Sequence, residues 1–155
     1  MIRWVAAAVV LAGWGFADVA EAACPGVNDR GAKLAFSTTQ LARPHATAVV
    51  AGGSIDIGYC AEVPGVGYVA PNPDFNVYYE RNDPNRDLEF RTESNCDTVL
   101  LVNTGAGNWF YDDDGASNGN ARIRLSGPSA GRYDVWVGTY GEATCNARLV
   151  VESFR

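Results

Sequence analysis

Apolar and polar positions alternate with a period of two over most of this chain, the spacing that sends successive side chains to opposite faces of a β-strand. No segment sustains the longer period of an amphipathic helix. Phe75, Val77 and Tyr79 alternate with Asn76 and Tyr78, Leu88 and Phe90 face away from Asp87, Glu89 and Arg91, and Ile123 and Leu125 alternate with Arg122 and Arg124. Tyr133, Val135, Val137 and Thr139 share one face against Asp134, Trp136 and Tyr140, and Leu149 and Val151 alternate with Arg148, Val150 and Glu152. The run Thr98-Val99-Leu100-Leu101-Val102 is more uniformly apolar, which predicts a central strand buried on both faces. Shorter β-type runs lie at Ala48-Val49-Val50, Ser54-Ile55-Asp56-Ile57, Tyr68-Val69 and Asn108-Trp109-Phe110-Tyr111.

Turn formers separate these runs. Gly52-Gly53, Pro64-Gly65-Val66-Gly67, Pro71-Asn72-Pro73-Asp74, Asn82-Asp83-Pro84-Asn85, Gly105-Ala106-Gly107 and the stretch Ser126 to Gly131 punctuate the chain. About eight short strands with turns at this spacing predict an all-β fold, an antiparallel β-sandwich of jelly-roll-like form. Residues 24–45 carry no comparable pattern and read as an irregular lead-in, so the sandwich is expected over 46–155. No internal repeat supports a solenoid or propeller. With 155 residues, 47% hydrophobic and 19% charged, the chain suits one folded domain and excludes a disordered or low-complexity protein.

The first residues change the picture of where this domain works. Arg3, the apolar run from Trp4 to Phe16 and the small-x-small triplet Ala20-Glu21-Ala22 form the pattern of a secretory signal peptide over 1–22. The run is shorter than the roughly 20 apolar residues of a membrane span. Glu21 stands where a lipid-attachment signal before Cys24 normally has Leu, which favours ordinary cleavage. A periplasmic or secreted protein without membrane insertion is therefore expected. Without residues 1–22, which hold Arg3, Asp18 and Glu21, the formal net charge moves from −6 to −5. An acidic chain with no basic face is not expected to bind nucleic acid.

Four cysteines, Cys24, Cys60, Cys96 and Cys145, suit two disulfides in an exported chain. No Cys-x-x-Cys spacing is present and the one histidine, His45, is remote in sequence, so a zinc site is disfavoured. Three pairings are formally open. Cys96 precedes the predicted central strand and Cys145 the last strand, whereas Cys24 and Cys60 share the N-terminal part, so the expected bridges are Cys24 with Cys60 and Cys96 with Cys145.

The succession Gly67-Tyr68-Val69, Pro73-Asp74-Phe75, Asp97 to Val102, Asn108 to Asp114 and Gly131-Arg132-Tyr133-Asp134-Val135-Trp136-Val137-Gly138-Thr139-Tyr140 resembles the bacterial pre-peptidase C-terminal domain family over about residues 46–152. The resemblance implies a jelly-roll-like sandwich that serves a secreted protease as an accessory in secretion, targeting or substrate contact. Residues 24–45 cannot hold a catalytic domain, which departs from that setting. Some relatives bind calcium through residues leading into the sandwich, and those ligands have no match here.

Candidate chemistry centres on the loop Asp112-Asp113-Asp114-Gly115-Ala116-Ser117-Asn118-Gly119-Asn120. Calcium takes six to eight oxygen ligands, and Asp112, Asp114, Asn118 and Asn120 in a glycine-punctuated loop are of the right kind. A solvated turn explains the same residues through their local backbone hydrogen bonds, and the loop lacks the regular EF-hand spacing. Both readings stand on the sequence. Gly127-Pro128-Ser129-Ala130-Gly131 formally matches a nucleophile elbow, but the run after it reads as a strand and not the required helix, so no enzyme is expected. Trp109 and Trp136, with Tyr111 and Tyr140, could build an aromatic surface. The expected function is a non-enzymatic binding or accessory module for an envelope or extracellular protein or glycan, with calcium at the acidic loop or ligand binding at Trp109 and Trp136.

Overall fold

The computed structural model describes residues 24–155 apart from Asn28; the expected signal peptide over 1–22 lies outside the described residues. Among the described residues the chain is an all-β sandwich of a seven-stranded and a four-stranded sheet. The strands are β1 (Ala32–Ser37), β2 (His45–Ala51), β3 (Ile55–Asp56), β4 (Tyr68–Val69), β5 (Phe75–Glu80), β6 (Asp87–Ser94), β7 (Thr98–Asn103), β8 (Trp109–Asp112), β9 (Arg122–Leu125), β10 (Gly131–Thr139) and β11 (Cys145–Phe154). The larger sheet runs β1-β5-β10-β7-β8, with β4 and β3 continuing along the edge of β10 beyond β5. The smaller sheet runs β2-β11-β6-β9.

Period-two alternation dictates which side chains meet. Phe75, Val77, Tyr79, Leu100, Val102, Tyr133, Val135 and Val137 point inward from the large sheet and meet Leu88, Phe90, Leu149 and Val151 from the small one. Each such side chain taken out of water contributes about 1.5 to 3 kcal/mol. The strand β7 is buried at all six positions, as its uniformly apolar run predicts. Its outward residues Val99 and Leu101 join Val69 and Trp136 in a second apolar layer, covered by Ile55, Ile57, Cys60 and Val63. The segment 55–63 is therefore a lid of chain packed onto the outside of the large sheet.

Both expected disulfides are present, Cys24–Cys60 and Cys96–Cys145. The first fastens that outer cover to the N-terminal segment. The second ties the β6–β7 turn to the start of β11.

Two expectations need correction. The segment expected to be irregular contains β1, and His45 opens β2. The strand β1 also pairs in parallel with β5, so the sandwich is not wholly antiparallel. After β1 the chain crosses to the other sheet as β2 instead of turning back beside itself, returns to the large sheet through the short β3 and β4, and reaches β5 running in the direction β1 began. Polar anchors explain why so short an edge strand holds: the Gly31 N–H donates to Asn76 Oδ1 at 2.8 Å, and Arg132 bridges the Asp134 carboxylate at 2.6 Å and the Asp29 carbonyl at 2.6 Å.

Candidate functional site

The acidic loop joins β8 of the large sheet to β9 of the small one, and its hydrogen bonds are those of a built joint. Asp112 Oδ2 accepts the N–H of Gly115 at 2.7 Å and that of Arg122 at 2.8 Å, which closes the loop at its base. Asn118 holds a left-handed conformation with φ of 61°, one that asparagine tolerates better than most residues. The buried Asn120 donates from Nδ2 to the carbonyls of Ser94 at 3.1 Å and Ser117 at 2.9 Å. The Gly119 carbonyl accepts the Thr98 N–H at 2.8 Å, fixing the loop to the first residue of β7.

Two of the four residues expected to hold calcium serve the loop itself. Asp112 and Asn120 are engaged with backbone groups. Asn118 and Asn120 line an open groove of about 730 Å3 on the outer face of the small sheet, beside Arg91, Arg122 and Arg148. Asp114, with Asp113, instead stands close to Asp97 and helps raise its pKa, after partial burial as the leading cause. Among the described residues no group of three His, Cys, Asp or Glu side chains is placed to hold one metal ion.

The aromatic residues divide in a way the sequence does not show. Trp136 is fully buried in the outer apolar layer, so it cannot touch a ligand; this corrects the expectation for it. Its position on β10 faces the covering segment 55–63, which local alternation alone does not reveal. Trp109 is half-buried against it, with ring centroids 5.4 Å apart. The exposed aromatics are elsewhere. Tyr59 is 88% exposed and Tyr140 53%, and both line a recess of about 370 Å3 with Asp56, Val66 and Tyr68.

Local structure positions each wall of this recess. Asp56 Oδ1 accepts the Gly58 N–H at 2.9 Å and caps the 3-10 turn Ile57–Tyr59, whose buried Ile57 leaves Tyr59 pointing to solvent. Tyr111 from β8 donates to the Val66 carbonyl at 2.8 Å and holds the Pro64–Gly67 turn against the sheet. Gly65 has φ of +94°, and a Cβ there would fall 2.2 Å from the Tyr111 ring, so glycine is required at this crossing. The Tyr68 hydroxyl donates to Glu142 at 3.3 Å.

Negative charge collects around the same end of the sandwich. Burial pushes the Tyr111 hydroxyl up to about 12, and the neighbouring Asp113 carboxylate adds to it. Tyr68 is raised by partial desolvation first and then by Glu142 and Asp56. The Tyr140 N–H donates to the Asp97 carbonyl at 3.2 Å, which brings the Asp97, Asp113 and Asp114 group next to Tyr140. Among the described residues no Lys, Arg or His lines the recess. The acidic loop thus supplies one wall of the arginine groove, while its Asp113 and Asp114 stand with Asp97 near Tyr140, outside the lining of the tyrosine recess.

The groove is larger, and two of its three arginines are paired, whereas Arg122 has no ion pair among the described residues. Arg91 pairs with Glu152 at 2.7 Å and Glu89 at 3.1 Å, and Arg148 with Glu93 at 3.6 Å. The elbow-like turn around Ser129 connects β9 to β10, two strands, and Ser129 offers its carbonyl to the Tyr133 hydroxyl at 2.6 Å. His45 packs against Phe36 with ring centroids 4.5 Å apart and is not among the residues lining the recess beside Ser129.

Compared with known proteins, the chain matches no family model, no curated protein and no solved structure.

Proposed function

We propose that this protein is an exported, non-enzymatic binding module that takes a basic, extended segment of another protein at the recess formed by Tyr59, Tyr68 and Tyr140. One observation carries the reading: three tyrosines, two of them largely exposed, meet at a recess whose titratable neighbours are all acidic. A tyrosine face attracts a Lys or Arg head, each such contact contributing about 0.5 to 1 kcal/mol at an exposed site. The carboxylates of Asp56 and Glu142 accept hydrogen bonds from the same cation. Two disulfides suit an extracytoplasmic setting, and no helix among the described residues is long and apolar enough to cross a membrane. The resemblance to pre-peptidase C-terminal domains points to an accessory role of the same kind. Calcium has no part in this reading, which takes the acidic loop as the joint between β8 and β9.

Titration calorimetry with a synthetic Lys/Arg-rich peptide tests the proposal. Binding that weakens as salt rises from about 0.05 to 0.5 M supports it, since screening shortens the reach of exposed charges. A second reading, a neutral glycan stacked on Tyr59, is favoured by that ring's exposure alone. Binding to a neutral oligosaccharide that ignores salt would replace the first reading with the second.

A further inference from the structure

Five strands end the two sheets: β1, β3 and β8 in the large one, β2 and β9 in the small one. An edge strand presents unpaired backbone groups to any other strand, and proteins commonly guard against this with charge, proline, bulges or shortness. Four of these five edges are guarded. Lys33 lies on β1, Arg122 and Arg124 on β9, Asp56 on the two-residue β3, and Asp112 on the four-residue β8. The strand β2, His-Ala-Thr-Ala-Val-Val-Ala, has no charged residue and no proline. Its seven residues pair with β11 in unbroken register, without a bulge. Among the described residues no strand pairs with its other side.

We infer that β2 is the seam through which two copies of this chain associate, antiparallel and about a two-fold axis at Ala48. That axis sets Ala48 against Ala48 of the other copy, Thr47 against Val49, Ala46 against Val50 and His45 against Ala51. No like charges meet, His45 faces Ala51, and every other pair joins small or apolar residues, so the edge is complementary to itself. The outward row Ala46, Ala48 and Val50 is exposed, Val50 by 59%, and pairing covers it. The neighbouring strand does not oppose the approach, because Arg148, beside Ala48 on β11, is neutralised by Glu93 at 3.6 Å. Joining the edges turns two four-stranded sheets into one of eight strands. A basic or acidic partner strand gains nothing from so neutral an edge, which is why a second copy fits it better than a charged peptide.

Sedimentation velocity on the disulfide-bonded chain from about 1 to 100 µM tests this, because a dimer must grow with concentration. The expected result is a concentration-dependent dimer. Ala48→Lys and, separately, Val50→Lys shift its dissociation constant upward by about tenfold or more, while far-UV circular dichroism, and the melting temperature at dilutions where the parent is monomeric, stay as in the parent. Mixing Ala48→Lys with Ala48→Glu chains restores a dimer that neither forms alone. A chain monomeric throughout the range overturns the inference, as does a dimer that both lysine variants leave intact. A monomer that instead captures an unrelated extended peptide along β2 overturns the second copy as occupant.

Discussion

The arginine groove is lined in part by the loop 112–120 and the tyrosine recess lies beside the Asp97, Asp113 and Asp114 group, yet the two offer different things to a ligand. The groove is about 730 Å3 and the recess about 370 Å3, so size favours the groove. Chemistry favours the recess. In the groove Arg91 and Arg148 already face Glu89, Glu93 and Glu152, and a ligand must compete with those pairs. Around the recess the carboxylates have no basic partner in its lining, and the rings of Tyr59 and Tyr140 are open to solvent. On the proposed reading, paired charge makes the larger groove the poorer site, and exposed tyrosine beside carboxylates makes the smaller recess the better one.

The largest effect that would sharpen this contrast comes from beneath the recess. Trp136→Ala removes the centre of the outer apolar layer that supports Tyr59 and is expected to lower the unfolding free energy by about 3 to 5 kcal/mol in urea denaturation. Arg122→Ala, on the groove, should stay within about 0.5 kcal/mol of the parent by the same measurement, as an exposed side chain without an ion pair among the described residues. Replacing Cys24 and Cys60 with alanine releases the covering segment and should lower stability by about 2 to 4 kcal/mol.

A smaller effect is read from acidity. Asp74, half-buried and accepting the Val137 N–H at 2.7 Å, has its pKa pushed up to about 6 by burial. The folded chain therefore keeps this proton up to about pH 6, whereas the unfolded chain releases it near 3.8. Stability from this group is fully present below the unfolded value and is lost as pH rises through about 6. Its contribution at pH 5 should exceed that at pH 7.5 by about 1 kcal/mol, and Asp74→Asn should flatten the slope between them in paired melts.

The loop itself is expected to respond least to metal. Asp112→Ala should lower stability by about 1 to 2 kcal/mol, the effect of removing a capping carboxylate from two backbone N–H groups. Millimolar calcium should leave the melting temperature where it was, with or without that substitution. A calcium-dependent rise abolished in Asp112→Ala would move the loop from joint to metal site.

Much of this architecture is legible in the residues and part of it is not, for definable reasons. Strands whose faces differ in polarity, such as Leu88 and Phe90 against Asp87 and Arg91, announce themselves by alternation. The doubly buried β7 does so by lacking it. The strand β1 was hidden because its sequence, Ala-Lys-Leu-Ala-Phe-Ser, is weakly patterned and is held by Asn76 and Arg132 from distant strands. Both disulfides followed from which cysteines adjoin which strands. Trp136 misleads for the opposite reason: its outward direction on β10 is correctly read, but outward means buried only because residues 55–63 cover that face. Tyr59 gave no signal, since its exposure depends on a three-residue turn capped by Asp56.

The central claim, that the acidic tyrosine recess binds and the arginine groove does not, is tested most directly by nuclear magnetic resonance of the isotope-labelled chain titrated with a Lys/Arg-rich peptide. The account predicts that amide shifts concentrate at Asp56, Tyr59, Val66, Tyr68, Tyr140 and Glu142 and disappear in Tyr59→Ala, while Asn118, Arg122 and Asn146 stay still. Shifts confined to the groove, or unchanged in Tyr59→Ala, would contradict it.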